Sequence, residues 1–108
     1  MPAKTGTPPV IRVGGLTVNT ARKLVSVGGE RVRLTRSEYA MLEFIATHSP
    51  VPCSAVAEKF YGGHLSGPQI VWTTVYNIRQ KFLAASGGRH RFIEEVRSTF
   101  AYRLSEAA

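Results

Sequence analysis

The sequence predicts an α+β domain: an N-terminal antiparallel β-sheet, three helices and a C-terminal β-hairpin. Three observations lead there. From Ile11 to Leu34, short β-branched runs are punctuated by Gly14-Gly15, Asn19 to Ala21 and Gly28-Gly29. From Thr35 to Ala85, apolar residues recur at helical spacing in three segments, divided by prolines or a glycine pair. Beyond Gly87-Gly88, Arg91 to Val96 and Phe100 to Leu104 have strand character. A chain of 108 residues is long enough for one domain with its own core. We place that domain at 11–105, with a flexible arm at 1–10 and a tail at 106–108.

Each element has a local cause. Met1 to Pro9 is rich in proline and threonine and has no periodicity, which reads as an arm. Val25 and Val27, then Val32 and Leu34, alternate on either side of Gly28-Gly29, a hairpin pattern. Three or four short antiparallel strands are expected in this region. Thr35-Arg36-Ser37-Glu38 is a capping box, with Leu34 and Tyr39 at the positions of a hydrophobic staple. Leu42, Ile45 and Ala46 continue the apolar face of this first helix. Pro50 and Pro52 forbid its continuation, so it ends near His48. Ser54 is the expected cap of a short second helix, Ala55 to Tyr61, stopped by Gly62-Gly63. The third helix runs from Pro68 to Ala85, with Val71, Val75, Ile78 and Phe82 as one buried stripe.

Composition limits the function. The chain carries 14 Lys and Arg against 7 acids, a net charge of +7. That balance favours a nucleic acid or another anionic surface as partner. Between Lys59 and Ile93 there is no acid at all, while Lys59, Arg79, Lys81, Arg89 and Arg91 lie within it. A helix without carboxylates suits a polyanion, because a carboxylate facing phosphates is repelled. The plainer reading is chance in a chain poor in acids. The single cysteine, Cys53, allows no intramolecular disulfide and reads as a small buried apolar residue. No apolar run reaches membrane-spanning length and no signal-peptide core is present, so a cytoplasmic protein with no membrane partner is expected. His48, His64 and His90 are scattered, without the spacing of a metal site. No nucleophile–base pair or phosphate-cradling glycine loop is evident, so neither an enzyme nor a cofactor is expected.

The residues also carry a family likeness. Leu34, Thr35, Glu38, Tyr39 and Leu42 fill the pattern L-T-x-x-E-[FY]-x-x-L. Ile78-Arg79-Gln80-Lys81-Phe82 is similar to L-R-x-K-L, and Ile93, Val96, Tyr102 and Leu104 fit a final hairpin of the form I-x-T-V-x-G-x-G-Y-x-L. The run from Leu16 to Leu104 thus resembles the winged helix-turn-helix effector domain of OmpR/PhoB-type response regulators. The resemblance implies a sequence-specific, double-stranded DNA-binding transcriptional regulator. Its third helix would enter the major groove, and its 96–101 wing would touch the minor groove or backbone.

Carried over residue by residue, Thr73, Asn77 and Arg79 match DNA-contacting positions, and Thr74 adjoins them. Thr73, Thr74 and Asn77 are the expected base readers, since Asn pairs naturally with adenine. Gln69, Arg79, Lys81, Arg89 and Arg91 are the expected backbone contacts, and Arg97 the wing contact. Asn77 and Arg79 also have plainer readings, as a solvated helix residue and as the structural partner of a glutamate. The loop Gly62 to Gly67, with His64 and Leu65, corresponds to a segment that touches RNA polymerase in the family. The resemblance further implies a monomer in solution that pairs in tandem on DNA. The chain contains no receiver domain and no aspartate to accept a phosphoryl group. A chain that starts naturally at Met1 and one separated from a receiver both fit that fact.

Three departures from the family stand out. Trp72 replaces a customary acid, Asn77 a customary base, and the wing has Ser98, Thr99, Phe100 and Ala101 where glycines belong. The wing is therefore one residue longer, with a different expected turn, since glycine supplies positive φ without steric cost. Trp72 has three readings: partly buried against neighbours, which we place first; exposed towards DNA; or joined with Tyr76 as an aromatic patch for a protein. The last supports an alternative function, a protein-interaction adapter acting on the transcription machinery or another regulator, anchored by Trp72, Tyr76 and Phe100.

Overall fold

The computed structural model describes residues 9–62, 67–96 and 100–106. Its first layer is an antiparallel sheet of β1 (Val10–Val13), β2 (Leu16–Asn19), β3 (Leu24–Val27) and β4 (Glu30–Arg31), in sequential order. Gly28 and Gly29, with φ of 59° and 87°, form the two-residue turn that pairs Val27 with Glu30. Two successive positive φ values give the turn the twist of the strands it joins. Leu16 stands opposite Val27 and Val18 opposite Val25, and all four are buried. One face of the sheet is therefore core and the other solvent, as the alternation predicts.

The capping box is present in full at the start of α1 (Arg36–Thr47). The Glu38 amide donates to Thr35 Oγ1 at 3.1 Å, and the Thr35 amide donates to Glu38 Oε1 at 2.9 Å. Leu34 packs on the core that contains Tyr39, completing the staple. The helix ends at its C-cap, His48.

The next segment differs from expectation. A two-residue strand, β5 (Val51–Pro52), precedes α2 (Cys53–Tyr61), which begins two residues before the predicted Ala55. Ser54 is not the cap. The N-cap is Pro52, which makes no side-chain bond, and the Cys53 amide donates to the Phe100 carbonyl at 2.9 Å. The C-terminal hairpin thus satisfies the first amide of α2. At the other end Gly62, with φ of 56°, stops α2 as predicted.

The third helix, α3 (Gly67–Ala85), spans 19 residues. Val71, Val75, Ile78 and Phe82 are all buried and form its inner stripe. Gly87 and Gly88 end it with paired bonds: Gly88 N–H to Leu83 O at 2.7 Å and Gly87 N–H to Ala84 O at 3.2 Å, a Schellman motif. The hairpin of β6 (Ile93–Val96) and β7 (Ala101–Leu104) follows, with Val96 opposite Ala101. Both strands are shorter than the runs that predicted them. β5 adds to β7, giving a second sheet in the order β5-β7-β6. The core lies between the first sheet, α1 and α3, and is closed at the C-terminal end of α3 by Phe92, edge-on to Phe82 at 5.8 Å.

Candidate nucleic-acid interface

Because α3 buries one stripe, it must present the opposite one. That outer stripe is Gln69, Trp72, Thr73, Tyr76, Asn77 and Gln80, all exposed. These residues recur at offsets of three and four, the spacing of one helix face. No acid occurs anywhere on α3. The Thr73 hydroxyl donates to the Gln69 carbonyl at 3.1 Å, which leaves its oxygen outward as an acceptor.

Thr74, the third of the expected base readers, lies nearer the inner flank of the helix. It is half-buried, its hydroxyl donates to the Ile70 carbonyl at 2.9 Å, and it lies seven residues before Lys81 on one flank of the helix. Helical rotation sets it roughly 100° from Thr73 and roughly 60° from Asn77, towards Lys81.

Lys81 is turned inward. Its Nζ lies 2.6 Å from Glu38 Oε1, and Glu38 is a buried charged residue of the core boundary. Burial alone would raise the Glu38 carboxyl; the hydrogen bond from Lys81 and those from Thr35 outweigh it and hold the carboxyl below its ordinary 4.5. Lys81 therefore neutralises the carboxylate that caps α1, and its expected role as a phosphate contact meets a committed partner. A structural pairing with a glutamate was foreseen for Arg79; the residue that makes it is Lys81.

Arg79 lies on the opposite flank, facing the terminal hairpin. With Trp72, Val75, Tyr76, Glu95 and Tyr102 it lines a groove between α3 and the wing strands. With Tyr76, Gln80 and Arg91 it lines a second, adjoining concavity. Its Nε is buried and has no hydrogen-bond partner among the described residues. Arg79 and Arg91 thus line one concavity beside the C-terminal half of the outer stripe. Arg89 is also exposed, in the turn after α3, its amide donating to Ser86 Oγ at 3.3 Å.

Trp72 is 62% exposed and Tyr76 59%, which overturns the partly buried reading placed first for Trp72. The hydrophobic stripe of α3 is already complete without it, so no core site remains for the indole. Phe100 is 69% exposed and adopts φ of 51°. The wing therefore keeps a left-handed residue although it lacks the expected glycine there. Arg97, His64 and Leu65 lie outside the described residues.

Gln80 and Glu95 were missed as site residues. Gln80 was within reach, since it continues the Thr73–Tyr76 spacing. Glu95 reaches the groove only through the pairing of β6 with β7, which no local pattern reveals. Cys53 is half-buried; burial pushes its thiol up and a Tyr102 hydrogen bond pulls it down, with a net rise. A thiol kept protonated fits the structural reading. Among the described residues no cluster of His, Cys, Asp or Glu could hold a metal, and no helix is long and apolar enough to cross a membrane.

The four-stranded sheet, three helices and terminal hairpin, with an acid-free third helix laid open, form a winged-helix domain similar to the DNA-binding domains of OmpR/PhoB-type response regulators. Within that class LTVN (Leu16 to Asn19), EYAMLE (Glu38 to Glu43), YGG (Tyr61 to Gly63) and the run from Gly87 to Glu94 resemble the cell-cycle regulator CtrA. The cell cycle transcriptional regulator CtrA of Caulobacter vibrioides is 31% identical over 87 residues, covering 75% of this chain and 36% of that protein. The cell cycle response regulator CtrA of Brucella ovis is 33% identical over 93 residues, covering 81% and 38%. The chain thus spans little more than a third of the length of these curated relatives. The DNA-binding domain of Klebsiella pneumoniae RstA, solved in complex with the RstA box, superimposes with a TM-score of 0.72 at 25% identity, covering 92% of this chain and 99% of that one. No family model matches the chain. The relatives are transcriptional regulators, not enzymes.

Proposed function

We propose that this domain binds double-stranded DNA in a sequence-specific manner and regulates transcription. In this reading α3 reads the major groove, and the 96–101 wing meets the minor groove or backbone. The observation that carries it is the outer stripe of α3: exposed, free of acids, and bordered by the concavity that Arg79 and Arg91 line. Thr73 and Asn77 are its base readers. Gln69, Arg79, Arg89 and Arg91 hold the phosphates, and Arg97 serves the wing. This proposal does not use Lys81, which pairs with Glu38, or Thr74, which shares its flank.

Two further contacts follow from the family likeness. The loop 62–67, with His64 and Leu65, would meet RNA polymerase, and two copies would dock in tandem on adjacent half-sites. The test is selection of bound duplexes from a random DNA pool at near-physiological salt. A single enriched motif, repeated at about one helical turn, supports a regulator that docks in tandem. Retention without a motif supports non-specific binding only, and no retention defeats the proposal.

A second reading, a protein-interaction adapter, is favoured by the exposure of Trp72, Tyr76 and Phe100. Salt-insensitive binding to a protein, with no DNA preference, would select it.

A further inference from the structure

The outer stripe of α3 contains two large rings that hydrogen-bonding readout does not use. We propose that Trp72 and Tyr76 select thymine, by packing their rings against C5-methyl groups in the major groove. This inference rests on the DNA-binding reading above and names what part of the duplex the stripe prefers.

The placement is the first argument. Trp72 and Tyr76 are separated by one turn, as are Thr73 and Asn77, so two columns run side by side along the exposed face. A surface that meets Thr73 and Asn77 over one turn meets the rings as well. Trp72 and Tyr76 are 62% and 59% exposed, and on their wing side they border the groove that holds Arg79.

The chemistry of the groove is the second. The base edges of the major groove offer hydrogen-bonding atoms and one apolar group, the thymine methyl. A ring pressed on that floor buries a methyl or strands a polar base atom. Asn77 suits adenine, whose partner across the pair is thymine, so the methyl lies on the step that the neighbouring polar column is suited to read.

Charge is the third. Gln69, Thr73, Asn77 and Gln80 flank the column of the two rings, so its apolar surface is bordered by polar side chains along the helix. Arg79 and Arg91 stand beside Tyr76; α3 itself carries no acid, and among the described residues Glu95 of β6 is the one acid lining the groove with the rings. That surroundings favours a polyanion over an apolar protein.

Replacing thymine by deoxyuridine removes the methyl and leaves every hydrogen-bonding atom of the pair in place. In the duplex enriched from the random pool, each thymine is replaced singly by deoxyuridine. Affinity is then measured for the full chain, Trp72→Ala and Tyr76→Ala, with circular dichroism confirming that the variants fold. For the unaltered protein we expect about a fourfold loss at one or two positions, the factor for burying one carbon. That loss should vanish in the matching alanine variant. The inference is overturned by an enriched motif without thymine, by no deoxyuridine penalty at any position, or by a penalty that both alanine variants retain. The last outcome returns the rings to a protein partner. Motif-specific binding with no penalty defeats this inference alone, whereas no binding to any duplex defeats the proposed function with it.

Discussion

Replacing Lys81 by methionine separates two roles that the sequence leaves combined. In the structure Lys81 Nζ meets Glu38 Oε1 at 2.6 Å, with the Lys81 side chain 38% exposed and that of Glu38 10%. A hydrogen bond between charged groups contributes about 1.5–3 kcal/mol. The lysine is wet enough for solvent to screen a good part of that, which leaves about 1–2 kcal/mol. Lys81→Met should lower the unfolding free energy by that amount, and Glu38→Gln by a similar one. The double variant should lose little more than either single one, because both remove the same interaction. Denaturant unfolding of the four proteins gives the coupling directly.

Acid provides a second readout of the same pair. The folded Glu38 carboxyl is held below its ordinary 4.5, so the pair's contribution is full above that value and is lost as pH falls through the lower folded pKa. Glu38→Gln should remove this part of the acid dependence. A coupling below about 0.3 kcal/mol would refute the structural tie. So would DNA binding in which Lys81→Met lowers the slope of log K against log salt by about 0.9, the signature of a lost phosphate contact.

Thr35→Ala removes the acceptor for the Glu38 amide and should cost about 1 kcal/mol in denaturant unfolding; an unchanged midpoint would count against the cap. Phe100→Gly should leave stability unchanged or raise it by up to about 1 kcal/mol, because φ of 51° strains a phenylalanine whose side chain is mostly in solvent. A clear fall in the thermal midpoint would mean that the Phe100 ring does pack. Asn77→Ala should cost about 1–3 kcal/mol on the best duplex and relax preference at one base pair. Repeating the pool selection with this variant checks it, and full retention of the original motif would remove Asn77 from the readout.

Local chemistry made most of the fold legible. The Gly28-Gly29 turn, the Thr35–Glu38 box and the Val71–Phe82 stripe each depend on residues within a few positions of one another, and each is found as read. What failed was non-local. β5 is two residues long, too short for any alternation to show, and it exists because β7 passes beside it. Ser54 looked like a cap because the carbonyl that receives the first amide of the helix, Phe100 for Cys53, lies far along the chain in the terminal hairpin. Trp72 was expected to find neighbours because a large ring usually does. On α3 the buried stripe had already been filled by Val71, Val75, Ile78 and Phe82, so rotation alone puts the indole outside. The site was legible as a helix face and only partly as a set of residues: the spacing finds Thr73, Asn77 and Gln80, while the hairpin brings Glu95 and Tyr102 to Arg79.

The clearest limit of motif reading lies in Ile78-Arg79-Gln80-Lys81-Phe82. In the sequence its two cations look like one basic end of the helix. Two residues of helix turn through roughly 200°, so Arg79 and Lys81 cannot serve the same surface. Ile78 and Phe82 fix which way each must go, because both are buried and lie between the flanks. Lys81 then falls on the side of α1, where the capping carboxylate of Glu38 awaits a cation, and Arg79 on the side of the wing. The same geometry accounts for Thr74, which follows Lys81 to the inner flank while Thr73 stays on the outer face. On the proposed reading, the Lys81–Glu38 tie adds to the buried stripe in setting the rotation of the helix, and that rotation selects the residues that would meet DNA. If so, breaking the tie should blur sequence preference as well as lower stability, without changing the number of phosphates held. Sharp preference retained by a destabilised Lys81→Met protein would show that the Val71–Phe82 stripe sets the rotation unaided.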